Sequence, residues 1–250
     1  MNEIRIIPVT LSDEIKPGDS LADKLLHALK RQKMALEAGD LLVVKHKVVS
    51  KAEGQLVRLD TIRPSAESRA WARRYKTDAR VIELALRESK QILRQKNGVM
   101  ITETRHGFIC ANSGVDVSNV DGGRHALLLP SNPDRSAEQL FRELKARTGL
   151  AIAVLISDSF GRPWREGLTE VAIGVAGMKP IHDYRGKHDP HGYELRVTLD
   201  AVADELACAA GLVAGKLSRT PFVIIRGFPY QAGRGGYRSL LRPAAQDLFR

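Results

Sequence analysis

Residues 151–162 read AIAVLISDSFGR, and they contain the most strand-like run of the chain, six consecutive apolar residues from Ala151 to Ile156. A continuous apolar run of this length predicts a strand buried on both faces. Asp158 follows almost at once, which places a carboxylate at a sheet edge, where it and the Ser159 hydroxyl could hold a hard cation. Arg162 could then bind phosphate oxygens. The alternative on spacing alone is a strand-ending turn in which Asp158 caps backbone donors.

The rest of the chain mixes strands and helices without the regular alternation of a doubly wound sheet. Further strands are predicted at 4–9, 41–44, 99–103, 108–111 and 222–225, and helices at 21–37, 64–95, 136–147 and 202–217. We find no internal repeat, low-complexity segment or interdomain linker. The sequence therefore predicts an α+β fold with irregular mixed sheets, in a single unit over residues 1–250.

Composition restricts the class of partner but does not choose it. Lys and Arg number 39 against 29 Asp and Glu, a formal charge of +10 that indicates an anionic partner. Aromatic residues make up 5%, which disfavours base stacking as the main function. The two cysteines suit neither a disulfide framework nor a metal motif, so we expect a reducing cytoplasm. Neither a targeting signal nor a membrane span is predicted.

Two further polar segments follow apolar runs and could contribute to a phosphate site. Asp116 and Asn119 lie in one of them, and Asp116 could share a cation with Asp158, although an Asx-turn is the simpler interpretation. Lys51 lies in the other, beside His46 and Lys47. Its ammonium could neutralise a triphosphate, or the segment could be a basic edge strand. Neither a P-loop nor a dinucleotide fingerprint occurs in the sequence.

Taken together, these segments resemble one known family in order along nearly the whole chain. DLLVVKHKVVSKAEG at 40–54, ANSGVDVSNV at 111–120 and ISDSFGRPWR at 156–165 are similar to blocks of the coenzyme F420:L-glutamate ligase family. The family joins glutamate to the carboxylate of a deazaflavin precursor, using GTP and a divalent cation, and extends a γ-linked glutamate tail. The resemblance also implies a chain of two intimately associated subdomains that forms an intertwined homodimer.

The resemblance assigns roles to particular positions. Asp116, Asp158 and Ser159 match metal positions for Mg²⁺ or Mn²⁺, with K⁺ as a further candidate cation. We take Asp158, Lys51 and Arg162 as the catalytic residues. The implied nucleotide positions are Ser12, Asp13, Glu14, Ile15, His46, Lys47, Lys51, Asn119, Ala214, Gly215, Lys216, Leu217, Ser218 and Arg219. The implied partners are GTP, L-glutamate and the deazaflavin precursor, without nucleic acid or membrane.

One position departs from the expected pattern. Lys216 stands where an acidic or amide metal ligand is expected, and a protonated lysine cannot ligate a cation. It could contact phosphate directly instead, which leaves one or two divalent ions as open alternatives. His46 and Lys47 replace the small hydroxyl residues associated with their position. Two other functions remain as alternatives: the same ligation on another acidic acceptor, such as a folate-like γ-glutamyl substrate, and a non-catalytic nucleic-acid-binding protein.

Overall fold

The computed structural model describes residues 3–118 and 121–248. Its strands are β1 (Arg5–Val9), β2 (Leu41–Lys45), β3 (Leu56–Arg58), β4 (Ser89–Lys96), β5 (Val99–Thr104), β6 (Ile109–Ala111), β7 (His125–Leu127), β8 (Ala153–Arg162), β9 (Arg165–Ala176), β10 (His182–Asp183), β11 (Leu199–Asp200) and β12 (Phe222–Arg226). Its helices are α1 (Leu21–Arg31), α2 (His46–Ala52), α3 (Ala66–Tyr75), α4 (Ala79–Glu88), α5 (Pro133–Thr148) and α6 (Val202–Ala214). The predicted mixture of helices with several small sheets is confirmed.

The main sheet has the strand order β1-β12-β2-β8-β9, and β2 pairs with β8 in parallel while its other pairs are antiparallel. Its central strands are apolar at successive positions because helices cover both faces. Leu42 and Val154 pack in the core shared with α1 and α5. Leu41 and Leu155 pack in the opposite core, shared with α6. Residues 153–156 of the apolar run at 151–156 thus lie in a central strand.

A buried ion pair joins two strands at one end of this sheet. Asp40, fully buried at the start of β2, accepts hydrogen bonds of 2.8 and 2.9 Å from the guanidinium of Arg226, the last residue of β12. Arg226 also donates to Glu37. Burial of a carboxylate requires such compensation, so the pair with Arg226 allows an aspartate to stand immediately before the apolar residues of β2.

Helices α3 and α4 and the sheet of β4, β5 and β6 correct one sequence prediction. Residues 64–95, predicted to be one helical stretch, form α3, α4 and most of β4. Ser65 and Asp78 cap the two helices with their side chains, and Lys76 between them has the left-handed backbone angle φ of +52° that ends α3. Strand β4 pairs with β5, and β5 pairs with β6. Two local cap signals therefore override a continuous helical pattern of apolar residues.

The β8–β9 hairpin is longer than the apolar run within it. The sequence predicted that the strand would stop at Ile156, but backbone pairing continues through Asp158, opposite Val171, to Arg162. Only its inner part is covered by helices, so the outer part carries polar residues without losing the strand pairing. Asp158 therefore lies within a strand, and the alternative of a strand-ending turn at this residue is wrong. Among the described residues, none of the helices is long and apolar enough to cross a membrane.

The packing of α5 on β9 generates a testable prediction about Gly174. A Cβ at this position would lie 2.5 Å from the Pro133 carbonyl oxygen, at the first residue of α5. Because backbone atoms cannot yield as a flexible side chain can, we expect Gly174→Ala to lower the free energy of unfolding by about 2 kcal/mol. Urea denaturation followed by circular dichroism measures it. Gly161→Ala, whose Cβ would meet no atom within 4 Å, is the control, and equal losses would contradict the prediction.

Candidate active site

The parallel pairing of β2 and β8 builds the centre of the site. Lys45, the last residue of β2, is in register with Ser157 of β8, and α2 begins at the next residue, His46. The chain therefore turns away from the sheet directly beside Asp158. The His46 Nε2 atom lies 3.1 Å from the Asp158 Oδ1 atom, and the imidazole is buried. His46, a predicted nucleotide residue, is thus held against the predicted catalytic carboxylate.

Asp116 lies on the other side of the first turn of α2. The Lys47 ammonium is 2.5 Å from its Oδ2 atom and also donates to the Ser118 hydroxyl at 2.9 Å. Burial alone would raise the pKa of Asp116, but the hydrogen bonds from Lys47 and the Ser118 backbone outweigh it, so the pKa is lowered. Backbone hydrogen bonds to Leu127 hold Asp116 in place. The structure therefore brings Asp116 and Asp158 to the two sides of consecutive residues, His46 and Lys47.

The three predicted metal positions differ in how well they fit a cation. The Oδ2 atom of Asp158 has no hydrogen-bond partner among residues 3–118 and 121–248, so it is open to a hard cation. To bind a metal ion, the Asp116 carboxylate would have to release its ion pair with the Lys47 ammonium. Ser159 does not fit, because its hydroxyl donates to Glu170 at 2.7 Å and accepts from Lys216. Across the described residues, no three His, Cys, Asp or Glu side chains form a group that could hold a metal ion.

Glu170 is the site residue that sequence reasoning missed. Its carboxylate, 7% exposed, lies 2.6 Å from the Lys45 ammonium and accepts hydrogen bonds from the hydroxyls of Ser157 and Ser159. Burial would raise its pKa, but the hydrogen bonds from Lys45 and Ser159 outweigh burial and lower it. Burial also lowers the pKa of Lys45. A charged residue immediately before the apolar segment 171–177 was the available signal, but only the β8–β9 register shows what it contacts.

The predicted nucleotide segments meet at this same edge of the sheet. The Leu11 backbone N–H donates to the carbonyl of Arg219 at 3.0 Å, which joins 12–15 to 214–219. Lys216 reaches Ser159. The Lys51 ammonium lies 2.9 Å from Glu14, which joins α2 to the first segment. These contacts bring together Ser12, Asp13, Glu14, Ile15, His46, Lys47, Lys51, Ala214, Gly215, Lys216, Leu217, Ser218 and Arg219. Asn119 lies outside the described residues.

Arg162 is placed away from this cluster. It lies at the end of β8, paired with Arg165, and its guanidinium donates to the Glu166 carbonyl oxygen at 2.6 Å. It lies four positions after Asp158 along the strand, a distance of about 13 Å. Within one chain, the structure does not bring the third predicted catalytic residue to the other two.

The chain is similar to one protein family and to several curated proteins. The model of the family F420-0:Gamma-glutamyl ligase matches residues 11–227. The chain is 46% identical over 250 residues to a coenzyme F420:L-glutamate ligase of Methanothermobacter thermautotrophicus, covering 99% of both chains. It is 43% identical to that of Methanopyrus kandleri, covering 99% of this chain and 98% of the relative. For that of Methanocaldococcus jannaschii the identity is 44%, covering 86% of both.

The family model and the relatives are those of a ligase, which confirms the prediction of an enzyme of this class. More particularly, the chain belongs to the F420-0:gamma-glutamyl ligase family, as the sequence motifs indicated. The segments that carry the resemblance are joined at two contacts, His46 with Asp158 and Lys47 with Asp116.

The buried pair of Glu170 and Lys45 generates a prediction about stability. Glu170→Gln leaves the Lys45 ammonium buried without a counter-charge, so we expect the free energy of unfolding to fall by about 3 kcal/mol. Because the folded-state pKa of Glu170 is lowered, its contribution is complete above pH 4.5 and is lost as pH falls through the folded value. Urea denaturation at pH 7 and pH 4 should show a shallower pH dependence in the variant.

The control is the double variant Glu170→Gln with Lys45→Met, which also removes the buried ammonium. It should recover part of the lost stability. If the double variant is less stable than Glu170→Gln alone, the pair is not the source of the effect.

Proposed function

We propose that the protein adds L-glutamate to the carboxylate of the deazaflavin precursor of coenzyme F420, with GTP as the energy source, and extends a γ-linked glutamate tail. The observation that carries this proposal is that segments 12–15, 45–51 and 214–219 meet at one edge of the sheet, where His46 contacts Asp158 and Lys216 contacts Ser159. The relatives, aligned over 86–99% of their length, are named coenzyme F420:L-glutamate ligases.

The chemistry follows from what amide formation requires. A carboxylate has no leaving group, so transfer of the γ-phosphate of GTP to a carboxylate oxygen would create an acyl phosphate and release GDP. The glutamate amine then attacks the acyl carbon, the C–O bond to phosphate breaks, and phosphate leaves as the amine loses a proton. In phosphoryl transfer the protein acts mainly by positioning groups and neutralising charge.

Cationic side chains of this chain supply much of that neutralisation. Lys51 and Lys216 lie on two of the converging segments and are positioned to contact phosphate oxygens. Asp158, supported by buried His46, and Asp116 would hold one Mg²⁺ or Mn²⁺. That ion would supply charge neutralisation at the phosphates when bound. K⁺ remains a further candidate cation within the proposal.

We include a homodimer and a cytoplasmic location in the proposal. The β8–β9 hairpin carries large apolar side chains in solvent at its outer end, Trp164 at 82% exposure and Leu168 at 62%. Apolar groups of this size at the tip of a hairpin suit a contact with a second copy. A dimer could also bring the partner's hairpin, with its arginine side chains, toward the cleft. Both cysteines are free thiols, which suits a reducing compartment.

The dimer proposal is tested with Trp164→Ser and Leu168→Ser together. Sedimentation equilibrium should give twice 27.6 kDa for the native chain and a concentration-dependent shift toward the monomer for the double variant. Ile4→Ser, another exposed apolar position, serves as the control and should remain dimeric. A monomeric native chain would contradict the proposal.

The activity is tested by incubating the protein with GTP, Mn²⁺, L-glutamate and the deazaflavin precursor. Mass spectrometry should show products heavier by whole glutamyl units, together with stoichiometric GDP and phosphate. Replacing the precursor with a folate-like γ-glutamyl acceptor tests the alternative substrate. Turnover of the folate-like acceptor alone would contradict the proposed substrate.

The role of Asp158 is tested with Asp158→Asn. The amide keeps an oxygen that can accept from His46, so we expect the fold to be retained and the rate of GTP-dependent ligation to fall by about 10²-fold or more. Asp60→Asn is a matched control, because Asp60 forms an exposed pair with Arg58 in another part of the chain. Full ligase activity in Asp158→Asn would show that this carboxylate is not catalytic.

A further inference from the structure

Two ammonium groups converge on one buried carboxylate at the proposed active site. The Lys45 ammonium lies 2.6 Å from Glu170, and the Lys216 ammonium lies 3.6 Å from the same oxygen. Lys45 is enclosed, whereas the Lys216 side chain is 63% exposed. One negative and two positive charges leave a net positive charge at this point. Of the two ammonium groups, that of Lys216 is the one accessible to solvent.

The Ser159 hydroxyl fixes the position of that ammonium. It donates its proton to Glu170 at 2.7 Å and accepts a hydrogen bond from Lys216. A divalent ion bound to this hydroxyl would stand next to a positive charge at hydrogen-bond distance and would be repelled. Ser159 is therefore committed to the lysine, although the sequence motif suggested a metal ligand.

The main chain directs Lys216 toward the converging segments. Helix α6 ends at Ala214, and Gly215 follows with a φ of +57°, a value that few side chains tolerate. The Ser218 and Thr220 hydroxyls donate to the Ala214 carbonyl and hold the turn closed. Lys216 is thus presented from an ordered turn at the end of a helix.

We propose that the Lys216 ammonium is a built-in cation of the active site, which takes the place of a divalent ion at Ser159. Glu170 is the positioning residue that holds it there. The chain then binds one divalent cation per active site, at Asp158 and Asp116. The contact of Lys216 with a nucleotide phosphate rests on the proposed function, but the count of divalent ions does not.

A tethered ammonium differs from a metal ion in a measurable way. It is already in place before the nucleotide binds, so its positioning costs no further translational entropy, and no chelator can remove it. Its charge is one unit instead of two. Replacing it with a neutral oxygen ligand should therefore convert the position into a true metal site beside Glu170 and Ser159.

The test counts bound Mn²⁺ in the full-length protein by equilibrium dialysis and native mass spectrometry, with Mn²⁺ alone and with a non-hydrolysable GTP analogue. We expect one Mn²⁺ per chain in the native protein and two in Lys216→Gln. Lys216→Arg, which keeps the positive charge, should retain one. Lys96→Gln, an exposed lysine on β4, is the control and should also retain one.

Two Mn²⁺ ions, or none, in the native protein would overturn the proposal, and so would a single ion in Lys216→Gln or two ions in Lys216→Arg. A second readout is the Mn²⁺ dependence of ligation. At low Mn²⁺ the Lys216→Gln rate should fall by about 10²-fold and recover in part as Mn²⁺ rises. If the native protein shows the expected ion count but no ligation, the proposed function fails while this inference stands.

Discussion

The parallel pairing of β2 with β8 is the constraint on which the rest of the site depends. Parallel strands end at the same edge of a sheet, so the polar residues that follow two separate apolar runs come together there. Lys45 and His46 arrive from one strand, and Ser157 and Asp158 from the other. Helices cover both faces of these strands, so apolar side chains at successive positions are buried.

Charge compensation is the second organising feature. Glu170 and Asp116 are paired with ammonium groups from β2, α2 and the turn after α6, and Asp158 contacts the buried His46 imidazole. Such pairs contribute little net stability, because desolvation offsets their attraction, but they hold each group in one orientation. Around Glu170, two ammonium groups face one carboxylate, so positive charge is in excess at that point. The arginines of α3 and α4 lie on elements that contribute no residue to the candidate site.

Sequence reasoning was correct wherever a local pattern had one structural solution. The apolar runs at 41–44 and 222–225, and residues 153–156 of the run at 151–156, are central strands, as expected for strands covered on both faces. It was wrong for 64–95, where two side-chain caps interrupt a helical pattern. It was also wrong for the end of β8, where pairing with β9 extends the strand beyond its apolar part. Both errors arise because hydrogen-bonding partners are not visible in hydrophobic periodicity.

By itself, the sequence determined the family, the class of enzyme and the segments from which the site is built, because these depend on residue types in a fixed order. Only the tertiary structure decided which of those residues meet. It brought Lys216 to Ser159, made Glu170 the buried centre of the charge cluster and placed Arg162 at a distant hairpin end. The physical reason is that strand register and chain reversal set these distances, and residues 46 positions apart, such as Glu170 and Lys216, carry no local sign of their contact.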